Sequence, residues 1–467
     1  MDNTSSNPFQ ILSPLYSSQS ATSCYQECPR RYLFNYRLYG TGIVPNFNSV
    51  PLLQGNVVHR GVQEIAISHI QRKGIVDINQ VVEIVKEQYR VEVSKYPLAN
   101  IKDEYQQSVF YEQLALAEAL TRLWYLMEWP KILEFYNIIA IEQEILFPLG
   151  DVQYQVRPDL ILQDKRNGAI VNYSLKTTKM YNDRTQKALG CQLQVSTEPY
   201  GTSIWLDQMK HNLIEVRENL SALLSLSPTT IAATINYLNK FSNLPSHSST
   251  TRFCFLIKGN WEEENKGKGD WYTNSNLIYG YRKFTPSGIE YAPEFWFSNP
   301  TNPSGKGRLG KGWEKFKTWE NNDVQEDTDI RGVKGWIDWL WQFHKETLEK
   351  YIVSEPEIYV NPKLQQSRVK QVEVLEDQAR LGIKILSEQD LNSDKLNEAV
   401  DCLFPMNTGS CFFPSPCDYL TICPNGNDKY REHIANDPLN EEYGAYRKRE
   451  SHHEPERVHF NKRVAEK

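Results

Sequence analysis

Two short stretches carry side chains suited to chemistry on a phosphate ester. Arg157-Pro158-Asp159 lies in one run of alternating residues, and Ser174-Leu175-Lys176-Thr177-Thr178 ends the next. A carboxylate such as Asp159 offers hard oxygens to Mg2+ or Mn2+, an ion that keeps several waters and needs only one or two protein carboxylates. Such an ion polarises a phosphoryl oxygen and lowers the pKa of bound water. A lysine beside it orients that water or steadies the charge of the transition state. Each piece alone is weak. A Pro-Asp dipeptide usually turns the chain, and a lysine ending a strand usually faces solvent. The order strand, Pro-Asp, turn, strand, lysine, helix gives the pair its weight.

The elements around these stretches decide whether they meet. Residues 153–162 and 169–175 read as strands joined by a polar turn at 164–168, which makes a hairpin with Asp159 and Lys176 at one edge. Residues 138–147 alternate as a preceding strand, with Glu142 and Glu144 on one face. Residues 184–197 read as a helix closed by Pro199 and Gly201, on which Gln194 and Glu198 share a face. Helical spacing also marks 24–39, a helix opening at Gly55 over 56–73, and 79–96, 102–136, 205–225, 229–242, 333–350 and 364–386. Further strands are expected at 252–258, 277–283 and 290–297. Residues 1–23 read as a flexible arm and 426–467 as a disordered tail. Strands alternating with helices in mid-chain predict an α/β core with a mixed sheet and helical insertions.

The 467 residues suggest two or three domain-sized units or one elaborated domain, and 11 Trp, 26 Tyr and 18 Phe supply core material. No apolar run approaches the roughly 18 residues of a membrane helix, and the first residues lack a signal-peptide core. A soluble, cytoplasmic protein with no membrane partner is expected. The net charge of −6 excludes a uniformly basic surface but not a local patch. One candidate is residues 303–317, where Lys306, Arg308, Lys311, Lys315 and Lys317 face one acid, Glu314. A mobile surface loop explains this stretch as well as a DNA contact does. There is no Walker-type phosphate loop, so any helicase motor must come from another chain.

Six of the eight cysteines lie near the two ends, at 24, 28, 402, 411, 417 and 423. In an intracellular chain such clustering points to a metal or cluster site rather than to disulfides. Zinc and iron–sulfur clusters both accept four thiolates, and structural zinc sites favour CxxC-like pairs. Cys191 and Cys254 read as core residues.

Taken together, these motifs resemble the PD-(D/E)xK nuclease superfamily, and within it the RecB-like and CRISPR-adaptation nucleases. Cys28-Pro29-Arg30-Arg31-Tyr32 resembles the amino-terminal Cys-Pro motif, and Gly55-Asn56-Val57-Val58-His59 the Gly-x-x-x-His helix that brings a metal-binding histidine. Arg157-Pro158-Asp159 and Lys176-Thr177-Thr178 match the second and third motifs. The resemblance is discontinuous, with unmatched inserts at 79–136, 205–245 and 260–330. It implies a Mg2+- or Mn2+-dependent deoxyribonuclease acting on DNA ends or single strands, with His59, Asp159 and Lys176 in the site. It also implies a [4Fe–4S] cluster on Cys28, Cys411, Cys417 and Cys423, with Cys24 and Cys402 as spares. Arg30, Arg31, Lys306, Arg308 and Lys311 are the expected DNA contacts. Partners would be DNA and a helicase, recombinase or CRISPR chain.

The third motif departs from the superfamily, because Ser174 stands where an acid is expected. Some restriction enzymes of the superfamily with Ser-x-Lys take the acid from the following helix. Here that places Glu198 ahead of Glu142 or Glu144, with Gln194 where RecB-like enzymes carry a Gln-x-x-x-Tyr motif. The alternative is a catalytically inactive DNA-binding subunit. The expected organisation is an arm with the first cluster cysteine (1–54), a helical subdomain (55–137), the nuclease core (138–300), the basic loop with further helices (301–395), the cysteine cluster (396–425) and the tail (426–467).

Overall fold

Residues 170–178 read IVNYSLKTT, and the first six are buried. A strand buried on both faces must be covered on both sides. The computed structural model places it at the centre of a sheet. The structure describes residues 9, 15–45, 50–72, 74–94, 104–178, 181–218, 239, 241–258, 277, 296–298, 313–315, 332–343, 345–388, 394–411, 417–420, 422–423 and 446–449, and all that follows concerns these.

The strands are β1 (Leu15–Ser18), β2 (Ile43–Pro45), β3 (Tyr136–Ile141), β4 (Ile145–Leu149), β5 (Val152–Val156), β6 (Leu160–Asp164), β7 (Ile170–Thr178), β8 (Ser248–Ile257), β9 (Trp296–Ser298), β10 (Trp313–Lys315), β11 (Ile352–Ser354), β12 (Ile358–Tyr359) and β13 (Tyr446–Lys448). The helices are α1 (Gln19–Glu27), α2 (Pro29–Tyr32), α3 (Val50–Gln71), α4 (Ile78–Ser94), α5 (Glu104–Met127), α6 (Trp129–Phe135), α7 (Asp183–Leu189), α8 (Gln194–Glu218), α9 (Gly332–Phe343), α10 (Lys345–Leu348), α11 (Pro362–Ser387) and α12 (Asp394–Leu403).

The main sheet runs β11-β8-β7-β6-β3, with β12 also on β8. Only β7 and β8 are parallel in it, so it is mixed, in an α/β fold as expected. The crossover between β7 and β8 carries α7 and α8. A second sheet, β1-β5-β4, has β1 parallel to β5. The arm expected at 1–23 is therefore built into the fold from Leu15 onward.

The two sheets share a pair of chain segments. Residues 138–147 were expected as one strand and 153–162 as another. Each is two strands in different sheets, since β3 pairs with β6 in the main sheet and β4 with β5 in the second. The changeover falls at Glu142, whose φ of 47° is rare for a residue with a side chain, and at Pro158, which has no N–H to offer a ladder. Apolar alternation continues through both bends, which is why it conceals them.

Helices α3, α4 and α5 pack over one face of the main sheet, around Val58, Leu120, Leu123 and Trp124. The indole of Trp124 donates to the Tyr173 hydroxyl of β7 at 2.8 Å and ties helix to sheet. Helix α3 begins at Val50, so Gly55 lies inside it rather than opening it. Helix α8 covers the second sheet, with Trp205 and Leu206 against Phe147 and Tyr154. It was expected to end at Pro199 but starts at Gln194 and passes through that proline. Pro199 lies early in the helix and removes one intrahelical bond, a cost that packing outweighs. A Cβ on Gly201 would sit 2.6 Å from Val156 Cγ2 and 2.8 Å from Phe147 Cε1. Gly201→Leu should therefore destabilise the protein by about 2–3 kcal/mol or prevent folding, read as a lower denaturation midpoint. An unchanged midpoint would show that α8 does not approach the sheet this closely.

A third core joins segments far apart in the chain: Tyr32, Phe34 and Leu38 pack with Ile383, Phe404 and Tyr419. Strand β13 pairs with β2, so Tyr446–Lys448, expected in a disordered tail, is ordered. Residues expected as helix at 229–238 and as strands at 278–283 and 290–295 lie outside the described residues. No described helix is long and apolar enough to cross a membrane.

Candidate metal centre and cysteine patch

The changeover between the sheets brings three ligand-type side chains together. His59, Glu142 and Asp159 each offer one ligand atom, and these atoms lie within 4.8 Å of one another. Each owes its position to local structure. His59 rides on α3 one turn after Gly55, and a Cβ on Gly55 would meet Thr177 Oγ1 at 3.0 Å. That glycine thus lets α3 lie close on the end of β7. Glu142 is turned out of β3 by its positive φ, while its backbone N–H donates to Asp159 O at 3.0 Å. Asp159 precedes β6, and its Oδ2 accepts from the Leu175 N–H at 2.6 Å.

The electrostatics suit a cation. Burial pushes the Asp159 carboxyl up, but His59, Lys176 and the Leu175 N–H outweigh it and hold the carboxyl below its ordinary range. His59 Nδ1 donates to Asp159 Oδ1 at 2.8 Å. Burial opposes the charge on His59, yet Asp159 lifts its pKa above the usual value. Glu142 is pushed up to about 7, first by burial and then by the charge of Asp159. A cation that takes Glu142 must displace that proton. His59, as a ligand, must be free of its extra proton too. Mn2+ affinity should therefore strengthen as pH rises through about 7, checked by titration across about pH 6 to 8. A flat profile would show that neither Glu142 nor His59 binds the metal.

Lys176 is half-buried at the end of β7, and its charge acts on His59, Asp159 and Glu198. Near it, within reach of the charges of Lys176, Asp159 and Glu142, lies a second polar group. Gln194 Nε2 donates to Ser174 Oγ and to Glu198 Oε1, both at 2.6 Å. Glu198 is 4% exposed, its Oε2 is buried without a hydrogen-bond partner, and burial pushes its carboxyl up to about 8 against the pull of Lys176. The sequence placed Glu198 ahead of Glu142 as the missing acid, whereas the group at ligand distance contains Glu142. Glu144 stays outside that group, with Oε1 buried and unpartnered.

One functional candidate had no role assigned from sequence. Arg157 Nε lies 3.1 Å from Glu142 Oε2 in an ion pair. Its signal was its place directly before Pro158-Asp159, a cation set beside a proposed cation site.

Cys28 and Cys411, one from each chain region, meet at Asn407. Its N–H approaches Cys28 Sγ at 3.5 Å, and its carbonyl accepts from Cys411 Sγ at 3.6 Å. The Cys417 N–H donates to Cys411 O at 2.8 Å. Cys417 and Cys423 pack with Cys24 against the third core. Burial pushes the Cys423 thiol up to about 12, countered by Arg30, with Cys28, Cys411 and Cys417 close enough to add to the rise. Cys402 is exposed; so is Cys191, expected in the core, while Cys254 is buried.

Arg30 was expected to contact DNA, and the structure corrects this. It is 3% exposed, its Nε donates to Phe404 O at 2.8 Å, and it pairs with Asp401. Arg31 is half-buried, with Nη1 3.3 Å from Glu27 and Nε buried without a partner. Lys306, Arg308 and Lys311 lie outside the described residues.

The sequence model of the PD-(D/E)XK nuclease superfamily matches residues 16–197. That span holds His59, Glu142, Asp159, Ser174, Lys176 and Gln194, and stops one residue before Glu198. A search of curated proteins gives no match.

Proposed function

We propose that this protein is a divalent-metal-dependent deoxyribonuclease, acting on DNA ends or single strands, with its centre at His59, Glu142, Asp159 and Lys176. The observation that carries the reading is the His59–Glu142–Asp159 group within ligand distance, inside the span matched by the nuclease superfamily model. One imidazole and two carboxylates suit Mg2+ or Mn2+ with room left for water. Bound there, the ion would polarise a phosphoryl oxygen and activate water. Asp159, already ionised and fixed by the Leu175 N–H, forms the rigid wall of the site. Glu142 takes the ligand role that Ser174 cannot fill. Lys176 supplies positive charge where the phosphate becomes more negative. Gln194 and Glu198 brace Ser174 and the strand carrying Lys176 rather than ligating.

The test is cleavage of end-labelled single- and double-stranded DNA with Mg2+ or Mn2+, with Asp159→Ala as control. Loss of cleavage in that variant supports the reading, and a wild type that binds DNA but cuts neither form favours the inactive DNA-binding alternative. The same assay divides the carboxylates. Glu142→Gln should lose cleavage about 100-fold or more, and Glu198→Gln far less. The reverse order would return the ligand role to Glu198.

The four cysteines are proposed to hold a [4Fe–4S] cluster. Cys28, Cys411, Cys417 and Cys423 form one patch through Asn407 and the third core, and this supports a shared site. Arg30 and Arg31 place positive charge beside Cys423 and Cys417, as a net-negative cluster requires.

A further inference from the structure

Arg157 makes an ion pair that the proposed reaction does not use. Its side chain is 59% exposed, yet it lies 3.1 Å from Glu142, whose side chain is 18% exposed. An arginine is permanently charged. A divalent ion and a guanidinium on one carboxylate repel each other, so a site built for metal alone would be better without Arg157. A phosphodiester resolves the conflict, because the planar fork of a guanidinium matches phosphate oxygens. Position matters as well. Pro158 fixes the backbone between Arg157 and Asp159, so a guanidinium released from Glu142 stays within one side-chain length of the triad. Among the described residues its ion pair is to Glu142.

We propose that Arg157 is the phosphate-binding residue of this site, held by Glu142 in the free protein and transferred to a DNA backbone phosphate when substrate binds. Uptake of DNA and of divalent ion are thereby coupled, since each relieves Glu142 of a competing partner. The coupling is reciprocal, as any two linked binding equilibria require. The inference rests on the nuclease reading and adds the residue that meets the substrate.

The test uses the full-length protein, Ca2+ as an ion chosen to bind without supporting cleavage, and a single-stranded oligonucleotide. Ca2+ affinity is measured with and without the oligonucleotide, and DNA affinity is measured against salt. For wild type, DNA should raise Ca2+ affinity by about 5-fold or more. For Arg157→Met, that enhancement should vanish, Ca2+ affinity without DNA should be equal or higher, and the slope of log K against log salt should fall by about 0.7, one phosphate contact on a single strand. Arg157→Lys should lie between, keeping charge but not the fork. The inference is overturned if Arg157→Met weakens Ca2+ binding without DNA while coupling and salt slope stay as in wild type. The arginine would then only hold Glu142 in place. If wild type binds no oligonucleotide at any Ca2+ concentration, the nuclease reading itself fails and takes this inference with it.

Discussion

Replacing Asp159 by asparagine should leave a folded protein that no longer binds Mn2+ and cuts DNA at least about a thousandfold more slowly. Asparagine keeps the shape and the acceptor facing the Leu175 N–H, 2.6 Å away in the native site, so the bend between the sheets should survive. It removes the one carboxylate of the triad held below its ordinary pKa, and with it the charge that anchors the cation. Metal assistance contributes several kcal/mol to a phosphoryl transition state, and about 1.4 kcal/mol is one decade of rate. Lys176→Met separates binding from chemistry. It should keep Mn2+ binding and lose cleavage, because Lys176 contributes no ligand atom to the triad. Equal cleavage by Asp159→Asn and wild type would end the metal-centre assignment.

The second large effect concerns the cysteine patch. Anaerobically purified wild type should be brown, with an absorbance band at about 400 nm. Cys417→Ser should be colourless and melt at a lower temperature, by about 2–4 °C for each kcal/mol lost. The effect on stability should be large because the patch lies where Glu27 and Cys28 meet Asn407 and where Arg30 meets Asp401 and Phe404. Ligand binding that draws those segments together becomes folding energy. Colourless wild type with one zinc per chain would replace the cluster by a zinc site.

How far these features could be read from sequence depends on their range. The turn at 164–168 and the strands beside it were legible because their signals are local, with Gly168 at φ 74° where a glycine is needed. His59 was legible from its spacing to Gly55, although the reason for that glycine, contact with Thr177, is not. The division of two strand runs between two sheets was hidden, because alternation has the same period on either side of a bend. The strained backbone at Glu142 has no sequence signal, and it is what brings Glu142 rather than Glu144 to the triad. Arg30 misled for a different reason. A motif shows that an arginine is present, not that it is exposed, and this one is 3% exposed and paired with Asp401, 371 positions away.

The pairing of β2 with β13 has a consequence for synthesis. Thr41 Oγ1 donates to the Arg449 carbonyl across 408 positions. At about 5–20 residues per second, a ribosome needs roughly 20–80 s to make the partner of a segment already outside the exit tunnel. For that interval Tyr32, Phe34 and Leu38 lack the core that later buries them. The nascent chain thus presents an aromatic, cysteine-bearing segment to whatever chaperone or metal-delivery factor is at hand.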